Sequence, residues 1–530
     1  MSEEIAMAAD WRRVIEALRS GVPNREAARA MGCNQDAVEQ LFHPKLEQAS
    51  EQLAAGEQVT GLLISGGFGS GKSHLLEYLE DRALAARFVC SHVVIGKETP
   101  LYDADKLLRA AVESAVVPGQ TGQTLQEVAH GLRRLRDTDA YARFRQWCNS
   151  ARSGVSALFP ASLFLHERLE NDPETVEAIV NFWSGEPLGS GDRLSLKKLK
   201  DTLQRVEGAP LFQLNAVPVP QLSFERFRFI AQMIAGAGYR GWLISLDEIE
   251  LIGRYSFLQR ANSYAELARW MGLLPDDPYP GILTIASISD DFVPAILERI
   301  GGKGDFGSLR AKLESNSMEE SRIVFGSLQV RVESRQTEES RILAARAAAG
   351  MQLIRRDAID LRPLNKETVE RAYHNVKELH ARAYGWQPPE IARPEPSSLT
   401  RMRKLVRRWI NEWDVVRLYN GVPVTFEERE VATSYAEDTE LEAAPAESEE
   451  PRPGTIGSVA DTDAAPQLAE SSTISNLTPT AGSRRRGTQS SIVVELKPPS
   501  VFPNRKNGAI PRGSMERRTK TRPAGGAGEI

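Results

Sequence analysis

The sequence predicts an α/β protein built on a parallel sheet, and three observations predict it. Short continuous apolar runs at 61–65, 88–95, 242–246, 282–287 and 358–362 alternate with helical patterns. Strands buried on both faces by crossover helices read this way. The first run enters a glycine-rich turn, Gly66-Gly67-Phe68-Gly69-Ser70-Gly71-Lys72-Ser73, which opens a helical run, KSHLLEYLEDRAL. The third run ends in two carboxylates, Asp247 and Glu248.

Composition bounds the rest. The chain has 530 residues, 66 Lys+Arg against 71 Asp+Glu, and 41% hydrophobic residues. That is ordinary for a soluble globular protein, with apolar material for a large core. No apolar stretch approaches the roughly 18–20 residues of a membrane helix. The start, MSEEIAMAADWRR, lacks the basic-then-apolar order of a signal peptide. Cys33, Cys90 and Cys148 lie far apart with no CxxC pair. This argues against a disulfide scaffold or zinc site and for a reducing cytoplasm.

Along the chain, residues 10–46 read as short helices. Within them REAARAMGCNQDAVEQLF looks like a helix-turn-helix, with Gly32 at the turn and Asn34 placed to cap the second helix. That second helix carries Asp36 and Glu39 and no Lys or Arg. A DNA-reading helix needs cationic donors, so a packed helical lead-in is the favoured reading.

The turn at 66–73 matches the Walker A pattern G-x-x-x-x-G-K-[ST] in its strand-then-helix context. Glycines let backbone N–H groups turn inward around phosphate oxygens, and the following helix adds its positive end. Lys72 then reaches the β- and γ-phosphates of ATP, and the Ser73 hydroxyl ligates Mg²⁺. Residues 243–248, Leu-Ile-Ser-Leu-Asp-Glu, supply the Walker B half. Asp247 would hold the magnesium shell, and Glu248 would activate the attacking water.

Between these halves, roughly 97–240 is helical in pattern and far longer than a crossover requires, so it reads as an insertion. The fourth run ends Ser-Ile-Ser-Asp-Asp, where AAA+ ATPases place a γ-phosphate sensor. Ser289 and Asp290 are the candidates, and a polar strand cap is the alternative. Arg355 and Arg356, just before the fifth run, and Arg310 further upstream are candidates for an arginine finger acting on a neighbour's nucleotide. The dipole of a helix C-terminus also favours arginine there. Asn365 is placed to cap a helix stopped at Gly385. A second helix at 400–418 carries Leu405, Trp409, Trp413 and Val416 as a core stripe. Its first turn holds Arg401 and Arg403, either of which suits a lid arginine or an exposed basic face.

Periodicity stops near 431. Residues 427–470 hold 13 Asp/Glu and 2 Arg, and 471–530 hold 11 Lys/Arg and 3 Glu. Both blocks are rich in small and polar residues, so a disordered tail over 431–530 is expected. Its basic end, with Arg484-Arg485-Arg486, is a place for nucleic acid or an acidic partner. The expected plan is a P-loop NTPase, AAA+-like. It has a helical lead-in (1–50), an ATPase core (51–363) carrying the insertion, a helical lid (364–430) and the tail.

Several blocks resemble one bacterial family, the ATP-binding protein BrxD of BREX phage-defence systems. They are IEALRSGVPNREA, GGFGSGKSHLLEYLEDRAL, KETPLYDADKLLRAAVESAV, GWLISLDEIELIGRYSFLQRANSYAELARWMG, KELHARAYGW and RRWINEWDVVRLY. The resemblance spans about 11–420 and leaves the tail unexplained. It implies a cytoplasmic AAA+-like ATPase using ATP and Mg²⁺, encoded beside a methyltransferase and a phosphatase-like protein. Other defence components, DNA and further copies of the chain are the implied partners. Gly66 to Ser73, Asp247 and Glu248 carry over position by position, with Arg356 and Arg401 the best matches for finger and lid. Two functions stay open: a hydrolysing motor or switch on DNA, and a nucleotide-gated adaptor with little turnover. Glu248 favours the first, because an adaptor could dispense with it.

Overall fold

The computed structural model describes residues 2–21, 24–119, 124–169, 171–189, 191–299, 304–306, 334–393 and 401–419. Arg310 and the 431–530 tail lie outside them. Among the described residues β1 (Leu62–Ser65), β2 (Val89–Val94), β3 (Trp242–Asp247), β4 (Ile282–Ile288) and β5 (Ile359–Asp360) form one sheet, in the order β2-β3-β4-β1-β5. Every neighbouring pair is parallel. From β1 the chain crosses to the edge at β2, steps back through β3 and β4, and passes β1 to reach β5, so the carboxyl ends of β3, β4 and β1 lie side by side. The expected strands appear within a residue or two, the last being the shortest. Only Ile359 and Asp360 pair, because Pro363 has no N–H to continue the ladder.

Side chains alternate between two cores. On one face Leu62, Ile64, Leu243 and Ile285 meet α3 (Asp36–Ala55) and α4 (Lys72–Ala85) through Phe42, Leu75, Leu76 and Leu79. On the other face Leu63, Trp242, Ile244 and Leu246 meet Phe227 and Ile230 of α11 (Val219–Gly236) and Leu267 of α12 (Phe257–Trp270).

The segment between β2 and β3 is helical, as its pattern indicates. It contains α5 (Ala104–Glu113), α6 (Leu125–Gly131), α7 (Asp139–Cys148), α8 (Leu158–Arg168), α9 (Pro173–Trp183), α10 (Leu196–Arg205) and then α11. Local chemistry sets the starts. Thr124 and Glu127 form a capping box, and Asp172 caps α9 with Pro173 in its first turn. Phe144, Phe159, Phe182 and Trp183 gather around Phe229 of α11, whose Phe227 meets Trp242 of the sheet. The helix α13 (Ser334–Gln352) crosses α12 so closely that a Cβ on Gly350 would lie 2.0 Å from the Tyr264 carbonyl oxygen.

A separate apolar cluster joins the two ends of the described chain. Val14 and Ile15 of α1 (Ser2–Ser20) and Met31 of α2 (Arg25–Met31) pack with Tyr373 of α14 (Lys366–Tyr384) and with Trp409 and Trp413 of α15 (Met402–Tyr419). Asn365 caps α14 by accepting from Thr368 N–H at 2.8 Å, and Gly385 ends it in a left-handed conformation. Leu405, Trp409 and Trp413 are buried and Val416 half-buried, so the stripe is core. The capping role expected of Asn34 is not found. Asn34 itself takes the left-handed turn (φ 53°), and Gln35 holds the cap position without a side-chain bond. The apolar face of α3, with Val38, Phe42 and Leu46, is spent on the sheet.

Candidate nucleotide-binding site

The site grows from the loop between β1 and α4. Gly69 and Gly71 hold φ of 74° and 105°, conformations a side chain would strain. Gly71 is the residue before α4, so the first N–H groups of that 14-residue helix face the loop. Lys72 is buried, and its ammonium donates to the carbonyl oxygens of Gly66 (2.7 Å) and Gly67 (3.4 Å). Ser73 lies one residue further into the helix, and both residues line the cavity.

Asp247 ends β3 and is buried. Its Oδ1 accepts from the Glu248 N–H at 3.0 Å and from the Ser287 hydroxyl of β4. Its Oδ2 lies 3.9 Å from His92 Nε2 on β2. Glu248 sits in the left-handed region (φ 60°, ψ 39°), which costs a non-glycine residue about 1–3 kcal/mol and marks a position held by its surroundings. Partial burial and the Asp247 charge raise the Glu248 carboxyl, against the pull of Lys72 and Arg403. Burial also raises Glu250, with Lys72 opposing it, and Glu250 Oε2 accepts from the Ser289 N–H at 3.1 Å.

Loop and carboxylates share one cavity of about 380 Å³. Its polar lining includes Lys72, Ser73, Asp247, Glu248, Glu250 and Arg403. Its apolar lining includes Met31 and Cys33 near the N-terminal turn, Leu364 just before α14, Ala372 of α14 and Val406 of α15. Arg401 and Asp290 flank the loop. From the position a Cβ on Gly67 would take, an Arg401 guanidinium nitrogen is 3.3 Å away and Asp290 Oδ2 is 3.4 Å away. The Arg403 guanidinium lies 5.6 Å from the Phe68 ring centroid.

The structure thus brings Gly66–Ser73, Asp247, Glu248, Asp290 and Arg401 together, with Ser289 behind them through its backbone. It does not bring Arg355 or Arg356 to the cavity. Both are exposed on the π-helical turn Leu353–Asp357. Arg355 pairs with Glu298 and covers Phe306, whereas Arg356 has no ion pair among the described residues. Sequence reasoning missed Glu250 and His92, and it missed the 31–36 turn as a cavity wall. Only Glu250 left a signal, as a third carboxylate two residues after Glu248.

A model of the family described as BREX system ATP-binding protein BrxC/D matches residues 7–130. The match supports the resemblance to BREX ATP-binding proteins over that stretch. No curated protein and no solved structure matches. The BrxC/D match runs from within α1 into α6, with the loop, Lys72, Ser73 and His92 inside it. Asp247, Glu248, Asp290 and Arg401 lie beyond it and are joined to it by the fold. Among the described residues no helix is long and apolar enough to cross a membrane.

Proposed function

We propose that the chain is a P-loop, AAA+-like ATPase that hydrolyses ATP with Mg²⁺ in a BREX-type defence system. One observation carries the reading: the Lys72 loop at the end of β1 and the Asp247–Glu248 pair at the end of β3 open into one cavity. The residues fit a nucleoside triphosphate. The loop offers backbone donors and a buried ammonium, and the apolar part of the lining is suited to a base. Ser70 Oγ is buried with no hydrogen-bond partner among the described residues. Ser73 and Asp247 are hard oxygen donors suited to Mg²⁺, which when bound neutralises phosphate charge.

Lys72 binds the terminal phosphates, and Arg401 lies over the loop where it can offset their charge. Glu248 orients water and takes its proton as the water oxygen bonds to the γ-phosphorus and ADP leaves. Its raised pKa suits a base better than an ordinary carboxylate would. Ser289 and Asp290 sense the γ-phosphate side, and Arg356, exposed and unpaired, is the finger for a neighbouring copy. In this reading 51–363 is the ATPase core with its 97–240 insertion, 364–430 the lid and 1–50 the lead-in.

Steady-state turnover and equilibrium binding of ATP test it. Lys72→Ala is expected to lose tight binding, and Glu248→Gln to keep binding while turnover falls at least about a hundredfold. Wild-type protein that binds ATP and shows no turnover, with or without DNA, would replace the ATPase by a nucleotide-gated adaptor.

A further inference from the structure

A charged chain runs behind the metal-side carboxylate. Glu80, on the helix that Lys72 opens, is 1% exposed. Its Oε1 is 2.7 Å from His92 Nδ1, and its Oε2 is 3.8 Å from the Arg25 guanidinium of α2. The other imidazole nitrogen, His92 Nε2, faces Asp247 Oδ2 at 3.9 Å. Asp247 Oδ1 is held separately, by the Glu248 N–H and the Ser287 hydroxyl. The carboxylate is therefore gripped on one oxygen, and its second oxygen lies against an imidazole that a buried carboxylate orients. A buried charge persists only when paired, so Glu80 is there to serve its partners. The ligand atoms of Glu77, Glu80 and His92 also lie within 4.8 Å of one another. The Glu80–His92 bond already satisfies two of the three, which is the signature of pairing rather than coordination.

We infer that Glu80 and His92 are positioning residues that set the orientation of Asp247 toward the nucleotide-bound divalent cation. The inference deepens the ATPase reading and rests on its assignment of Asp247. Removing a group that orients a metal ligand weakens metal binding roughly tenfold or more, while nucleotide contacts made without metal persist.

The test uses the full chain and Mn²⁺, whose electron paramagnetic resonance reports binding directly, in the presence of a non-hydrolysable ATP analogue. His92→Phe is expected to raise the Mn²⁺ midpoint about tenfold. Analogue affinity in chelator should stay unchanged, and His92→Gln, which restores a donor, should recover part of the loss. Should His92→Phe fail to fold, Glu80→Gln keeps the shape and is expected to raise the midpoint several-fold. Folded variants with the wild-type midpoint overturn the inference. So does equal weakening with and without metal, which would mean a purely structural role. Wild-type protein that binds Mn²⁺ with the analogue but never hydrolyses ATP defeats the ATPase reading and leaves this one standing.

Discussion

Asp414 is the residue that ties the N-terminal helix to the C-terminal pair. Arg19 of α1 donates to its Oδ2, Arg417 reaches its Oδ1 at 3.2 Å, and His380 Nε2 donates to Oδ1 at 3.2 Å. Trp386 Nε1–H donates to His380 Nδ1 at 2.8 Å, which leaves the imidazole proton on Nε2, aimed at Asp414. Against the upward pull of burial, the His380 bond and the Arg19 charge hold the Asp414 carboxyl below its usual value. A depressed carboxyl contributes stability above its unfolded pKa, near 4, and loses it as pH falls through the lower folded value. Asp414→Asn is therefore expected to destabilise the protein by about 1–3 kcal/mol at pH 7. In thermal melts the gap to wild type should close toward pH 3, and a gap independent of pH would contradict the assignment. Legibility differs at this same scale. Lys72, Asp247 and Glu248 could be picked out because each sits in a short pattern, 66–73 or 243–248, that fixes residue type and spacing locally. His92 and Asp414 could not, since their partners arrive only when strands and helices distant in sequence meet.

Elements were readable wherever one segment buries itself on both sides. Strands β1, β3 and β4 are buried at every residue, and β2 is buried except at His92 and Val94. The fifth is shorter than its apolar run because, after the Leu361 N–H bond to the Ser65 carbonyl oxygen, Pro363 has no N–H to continue the ladder. The insertion was readable as helix but not as a partner of one sheet face, because amphipathic stripes do not say what they meet. The crossing of α12 and α13 was invisible, since it depends on the absence of one side chain. Gly350→Ala is expected to cost about 1–3 kcal/mol, because Tyr264 backbone must move. Gly131, at the end of α6, has helical dihedrals and open space around it. Gly131→Ala should stabilise by about 0.4–1 kcal/mol by restricting the unfolded chain. Chemical denaturation of the two variants reads both signs.

At the scale of the molecule, the cavity is closed by three parts that the sequence lists far apart. The 31–36 turn, the β1 loop with Asp247, and the α14–α15 pair each supply a wall. The N-terminal turn is also bound to the loop helix, through the His74 Nε2 contact to the Gly32 carbonyl at 2.8 Å and the Arg29–Asp81 pair. A nucleotide filling the cavity would hold all three parts at once, so binding and the packing of α1 against α14 and α15 are coupled. Saturation at a hundredfold over Kd should add roughly 2.7 kcal/mol to stability. Ile15 is fully buried in the α1–α14–α15 cluster and does not line the cavity. Ile15→Ala is expected to cost about 2–5 kcal/mol and also to weaken nucleotide binding, because the wall it supports loosens. Gly350→Ala serves as the counterpart, destabilising a crossing remote from that cluster while leaving affinity as it was. Nucleotide titrations on both variants decide the matter. Equal affinity in Ile15→Ala and wild type would mean that the N-terminal helix covers the cavity without sharing in its binding energy.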